Sequence, residues 1–116
     1  MAVTDFTISL AIDQAARLLD DAIVGGSVTG ERIDSYAVRD ENGLRCLVLV
    51  YEKHYYRAGN RLTLTVTLEN LSAGGPGRTR VHAVGGGGGE GLFRFDWGAS
   101  DAFASGVEEA LGRYRV

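Results

Sequence analysis

Two histidines and one glutamate carry most of the chemical reach in this sequence. Glu52 and His54 sit in VYEKHYYR (50–57) and His82 in RTRVHAV (78–84). Two imidazoles and a carboxylate on adjoining strands can hold a divalent metal, or serve as acid and base around a substrate. Whether they meet depends on strand register, because successive side chains point to opposite faces. A two-residue turn at Gly59-Asn60 would set Glu52 opposite Thr67 and His54 opposite Thr65. The register of 78–84 that brings Val81 and Ala83 beside Leu68 and Val66 puts His82 beside Thr67. The expected row is Glu52–Thr67–His82, with His54, Tyr56 and Arg80 on the same face. A one-residue change in the turn would send Glu52 and His54 to the leucine side. The same residues also suit the solvated face of a half-exposed sheet, or an interface between copies.

A second candidate is an apolar pocket. Tyr51, Tyr55, Phe95, Trp97 and Phe103 are large enough to line one for a small apolar ligand, with the Gly85–Gly89 loop as its gate. VGGGGGEGLFRFDW (84–97) matches a dinucleotide glycine template only because a glycine run matches almost any such template. That motif works by opening a helix onto a pyrophosphate, whereas the residues after this run alternate like a strand. A P-loop needs Lys-Ser/Thr after its last glycine, and none follows. The run therefore reads as slack chain or a strand end. Tyr51, Tyr55, Tyr56 and Arg57 resemble an aromatic-basic cluster but stand in an acidic protein, so nucleic acid is not an expected partner. Ser100 reads as a helix-cap residue; no G-x-S-x-G elbow is present. Asp20-Asp21 and Glu108-Glu109 read as solvated helix faces.

The totals exclude several classes. The 116 residues are 45% hydrophobic and 23% charged, an ordinary globular composition. A formal charge of −3 argues against a general nucleic-acid binder. No apolar run reaches the ~20 residues of a membrane span, and MAVTDFTISL lacks the basic start of a signal peptide. Cys46 is the single cysteine, so it forms no intrachain disulfide and no thiolate cage; it reads as a small packed hydrophobe. A cytoplasmic protein without a cofactor is the expectation. Lys53 is the one lysine, and arginine and glycine are abundant enough that single occurrences carry little weight.

These residues must be positioned by a recognisable set of elements. Phe6, Ile8 and Leu10 alternate with Thr7 and Ser9 as in a half-buried strand. Asp13 is placed to cap a helix in which Ala15, Ala16, Leu19, Ala22 and Ile23 recur at helical spacing, and Gly25-Gly26 stop it. VTGERIDSYAV (28–38) is a weakly patterned strand, and Asn42-Gly43 signals a hairpin into LRCLVLVYEKHYYR (44–57). The LVLV centre suggests burial on both faces. RLTLTVTL (61–68) alternates cleanly, AGGPG (73–77) is a turn, and RTRVHAV is another strand. LFRFDW is a further short strand. Phe103, Val107, Ala110, Leu111 and Tyr114 make the stripe of a terminal helix. The order β-α-β-β-β-β-(β)-α with short links specifies one α+β domain over 1–116. It has two layers: a mainly antiparallel sheet of five to six strands, with both helices packed on one face.

Taken together, YEKHYYR-x-GNR (51–61), the glycine run and FDWGA (95–99) resemble a family of small single-domain bacterial proteins of unknown function, over nearly the whole length. That resemblance implies no activity, cofactor or catalytic residue. The functional expectation is a non-enzymatic module that binds a small ligand or a protein and can self-associate into a homo-oligomer. The alternatives are a small enzyme or divalent-metal site using Glu52, His54 and His82, and a pure assembly module.

Overall fold

A computed structural model describes residues 2–26, 30–55, 60–72, 77–87 and 99–116. Strand β1 (Ala2–Ile8) leads into helix α1 (Ile12–Asp20), which continues as a π-helical turn over Asp21–Gly25. Strands β2 (Glu31–Asp40), β3 (Gly43–Tyr55), β4 (Asn60–Asn70) and β5 (Thr79–Gly87) follow, then helix α2 (Ala99–Leu111) and a short 3₁₀ turn, Gly112–Tyr114. The sheet order is β1-β5-β4-β3-β2, and every pairing is antiparallel. The expected α+β architecture is borne out, with five strands among the described residues. The optional strand LFRFDW lies outside them.

The core forms because the alternation of β4 puts Leu62, Leu64, Val66 and Leu68 on one face, each at most 1% exposed. Val81 and Ala83 of β5, Leu49 and Tyr51 of β3, and Phe6 and Ile8 of β1 join them. Both helices bury their stripes in this one cluster: Ile12, Ala15, Ala16 and Leu19 from α1, and Phe103, Ala104, Val107 and Leu111 from α2. Each fully buried leucine contributes roughly 1.5–3 kcal/mol. All helical burial is therefore spent on one face of the sheet. The opposite face carries no layer among the described residues.

Several local expectations need correction. Strand β1 ends at Ile8, and Leu10 lies beyond it, packed at the edge of the core. The α1 N-cap is Ala11 rather than Asp13; the Ala11 N–H donates to the Gln14 side chain at 3.1 Å, and Asp13 falls in the first turn, where its charge suits the helix dipole. The β2–β3 turn is Glu41-Asn42, closed by the pair Asp40↔Gly43, one residue earlier than expected. Asp40 accepts the Asn42 N–H at 2.8 Å, and Gly43 supplies the positive φ of 111° that follows the turn. The LVLV stretch is not buried on both faces: Leu49 is in the core, while Val48 and Val50 lie half-buried on the open face. Finally, Gly85, Gly86 and Gly87 are not slack chain but ladder residues of β5, opposite Leu64, Thr63 and Leu62.

Candidate functional site

Register decides what the open face brings together. Strands β4 and β5 pair as expected, with Thr67↔His82, Leu68↔Val81 and Val66↔Ala83. Strands β3 and β4 do not. Asn60 itself pairs with Tyr55, so it cannot be a turn residue, and each partner shifts by four positions. Glu52 stands opposite Thr63, and His54 opposite Arg61. The shift is even, so Glu52, His54 and His82 keep a common face but occupy separate rows. Glu52 and His82 lie four residues apart along the strands and two strands across, roughly 16 Å at standard spacings. Glu52 is instead held by Arg61 at 3.4 Å. No group of three metal-ligating side chains forms among the described residues.

The row through His82 reads Tyr36, Val48, Thr67, His82, Asp5 from one sheet edge to the other. Asp5 is the member that sequence reasoning missed. Its Oδ2 accepts a hydrogen bond from His82 Nδ1 at 2.8 Å, and its Oδ1 accepts one from Arg80 Nε at 3.0 Å. The bond from His82, then that from Arg80, hold the Asp5 carboxyl below its ordinary range against a small burial effect. The Arg80 guanidinium is held in its charged form by Asp5 in return. An ionised carboxylate can only accept, so the imidazole is oriented with Nδ1–H towards Asp5 and Nε2 away from it.

These residues rim a shallow groove of about 420 Å³ lined by Asp5, Cys46, Thr67, Glu69, Arg80 and His82. Cys46 adds no nucleophile to it, because burial and then the nearby Glu69 carboxylate push its thiol pKa up, away from the reactive thiolate. Among the described residues, the Asp5–His82 pair is an orienter and a base without an activated partner. A larger cavity, about 590 Å³, opens beyond the same end of β4, beside the start of α1, and includes Asp13, Arg39, Asn42, Arg45 and Ser72 in its lining.

The aromatic candidates are placed differently. Tyr51 is fully buried and Phe103 is 8% exposed, both as members of the core. Tyr51 Oη donates to Asp20 Oδ1 at 2.6 Å, and Arg32 Nη1 lies 2.8 Å from Asp20 Oδ2. Burial, and then the hydrogen bond to Asp20, raise the Tyr51 pKa far above its ordinary value. Asp20 is thus no solvated helix residue: it ties the end of α1 to β3 and β2. Lys53 Nζ stands 6.0 Å from the Phe103 ring centre. The side chain of Tyr55, and Phe95 and Trp97 altogether, lie outside the described residues, as do Tyr56, Gly88 and Gly89.

Of the two rows that flank the His82 row, one is short-chain and apolar through its middle and the other carries a glutamate and an arginine there. Val3, Val84, Thr65 and Val50 form one, with Asp34 at its end; Val38 and Cys46 belong to another, with Glu69, Arg80 and Thr7. Val3, Tyr36 and Val38 are 58%, 63% and 43% exposed, large values for side chains of their type. No helix among the described residues is long and apolar enough to cross a membrane. No curated protein matches the chain. A family model does match, over residues 1–115, and the chain belongs to that family, a family of unknown function designated DUF6054.

Proposed function

We propose that this protein is a non-enzymatic association module that binds a second copy of itself through the open face of its sheet. The observation that carries this reading is the one-sided packing. Both helices bury their apolar stripes on one face, and the other presents Val48, Val50, Val84, Thr63, Thr65 and Thr67 at its centre with Val3, Tyr36 and Val38 around them. Short, β-branched side chains on a pleated surface suit sheet-on-sheet packing at about 10 Å. Five strands about 4.8 Å apart, with rows over about 17 Å of strand, give a footprint of roughly 400 Å² per copy. With interdigitating side chains, the area buried on both copies reaches roughly 1,000 Å², the lower end for a specific interface. Charged groups at the rim, among them Asp5, Arg80, Glu69 and Glu52, would set orientation rather than affinity.

A pocket for a small apolar ligand has less support, because Tyr51 and Phe103 fill the core. An enzyme built on Glu52, His54 and His82 would need groups that the register holds in separate rows. The test is methyl NMR over a concentration series. Self-association predicts broadening or shifts of the Val48, Val50 and Val84 methyls as concentration rises, with the core methyls of Val66, Val81 and Val107 unmoved. Methyl signals on the open face that stay constant to millimolar concentration would end this reading.

A further inference from the structure

The sheet ends in two unlike edges. Alongside β1, Arg115 bridges Ile8, and the Val116 N–H donates to the Thr7 carbonyl at 3.0 Å. Alongside β2 no described segment pairs, and all ten of its residues are exposed. A long strand with an unpaired edge is a template for another strand.

What that strand must look like follows from how β2 sorts its charges. Register with β3 places Glu31, Asp34 and Asp40 on the open face of the sheet, with Tyr36 and Val38 between them. Arg32, opposite the core residue Tyr51, and Arg39, opposite the core-packed Leu44, lie on the helix-layer face. Every acidic side chain of the strand is on one face and every basic one on the other. Opposed residues of an antiparallel pair share a face. In a two-fold self-pairing of β2, any charged pair brought opposite is therefore acid against acid or arginine against arginine, whatever the register. Like charges directly opposite destabilise a pairing. The register shift between Arg32 and Asp34 adds local twist that also disfavours a flat self-pair.

The same sorting favours a strand of the reverse kind. Asp40 is already held by Arg45 at 3.3 Å and Arg32 by Asp20 at 2.8 Å. Glu31, Asp34 and Arg39 make no ion pair among the described residues, so they are the charges left to meet a partner. We propose that β2 is a docking edge for an extended segment of a different protein. That segment carries basic residues flanking apolar ones on the side that meets Glu31, Tyr36, Val38 and Asp34, and acidic residues on the side that meets Arg39. This inference does not rest on self-association through the sheet face: the two surfaces share Tyr36 and Val38, but strand docking uses the backbone edge of β2 whereas self-association centres on β3, β4 and β5.

The experiment titrates ¹⁵N-labelled protein with two synthetic peptides, each about nine residues long, the scale of a single added strand. One has lysines flanking valines at alternate positions, with serine and glutamate between; the other has lysine and glutamate exchanged. The expected result is amide shifts confined to residues 31–40, with the matched peptide binding about tenfold tighter than the exchanged one, and less so at high salt. The double variant Glu31→Lys with Asp34→Lys reverses that preference; both positions are exposed, and unchanged amide shifts outside β2 confirm its fold. Equal affinity for the two peptides, or no shift in 31–40 at millimolar peptide, overturns the proposal. Shifts centred on Val48, Thr67 and Val84 also overturn it, and place strand binding on the open face instead. Failure of the β2 edge to bind leaves self-association standing, because that is read from mass and concentration dependence.

Discussion

His82 Nδ1 lies 2.8 Å from Asp5 Oδ2, joining a fifth strand to a first strand that is its neighbour in space and 77 residues away in sequence. This bond is the largest of the effects that hold the Asp5 carboxyl below its ordinary value of 3.8. Replacing His82 by alanine should let the Asp5 titration, followed by carboxyl NMR, move up towards that value, with Arg80 preventing a full return. A depressed carboxylate pKa contributes stability that is present above the unfolded value and lost as pH falls through the folded one. Asp5 and His82 side chains are 35% and 45% exposed, so solvent screening keeps the contribution under about 1 kcal/mol. A His82→Ala variant that left the Asp5 titration unmoved would show that the pair does not form in solution.

The Tyr51–Asp20–Arg32 link, anchored on a buried tyrosine, should matter more to folding. Tyr51→Phe removes one hydrogen bond to a charged acceptor and should cost about 1–2 kcal/mol in chemical denaturation. Asp20→Ala leaves a buried phenol without its acceptor and Arg32 without its partner, and should cost more, roughly 2–3 kcal/mol. The pH dependence has a definite sign. The unfolded chain releases the Tyr51 proton near its ordinary value of 10.0, while the folded protein retains it. The contribution is whole below that pH and declines as pH rises above it. Tyr51→Phe should therefore flatten the loss of stability at alkaline pH, as measured by urea unfolding between neutral pH and the alkaline limit.

Two glycines should respond in opposite ways to alanine. At Gly77 an added Cβ would lie 2.7 Å from Ala11 Cα and 2.8 Å from Leu10 C, backbone atoms at the start of α1 that cannot rotate away. Gly77→Ala should cost about 1–3 kcal/mol through overpacking. At Gly86 the nearest atom is Thr63 Oγ1 at 3.6 Å, an ordinary contact on the open face, and alanine suits a strand better than glycine. Gly86→Ala should be neutral or slightly stabilising by thermal melting. A Gly86→Ala variant destabilised as much as Gly77→Ala would count against the placement of the glycine run in β5.

The sequence was most legible where two constraints coincided. The β4–β5 register was readable because both strands alternate and β5 offers only Val81 and Ala83 as apolar residues for the core face, which have an obvious place beside Leu68 and Val66. The β3–β4 register was not, because any even shift keeps leucine facing leucine; the pattern sets which face a residue occupies and not its row. That ambiguity separated Glu52 from Thr67 while leaving both on the open face. Asp5 was invisible because nothing local marks β1 as the neighbour of β5, and Asp20 because its partners Tyr51 and Arg32 belong to two other elements. The first three glycines of the run read equally as slack chain or a strand end, since glycine lowers strand propensity by itself, and the strand-end reading is the one that holds. Their place in the ladder comes from a tertiary partner, the β4 segment Leu62–Leu64.

The central claim is self-association through the open face, and sedimentation equilibrium of the wild type beside Thr65→Lys tests it most directly. Thr65 sits in the middle strand of that face, between Val50 and Val84, so a lysine there meets the same point of a facing copy with its charge while leaving the core untouched. The account predicts a wild type whose mass rises to that of a dimer with concentration, and a Thr65→Lys variant that stays at the 12.4 kDa monomer scale with its fold intact. A wild type that remains monomeric to millimolar concentration, or a variant that dimerises as well as the wild type, would contradict it.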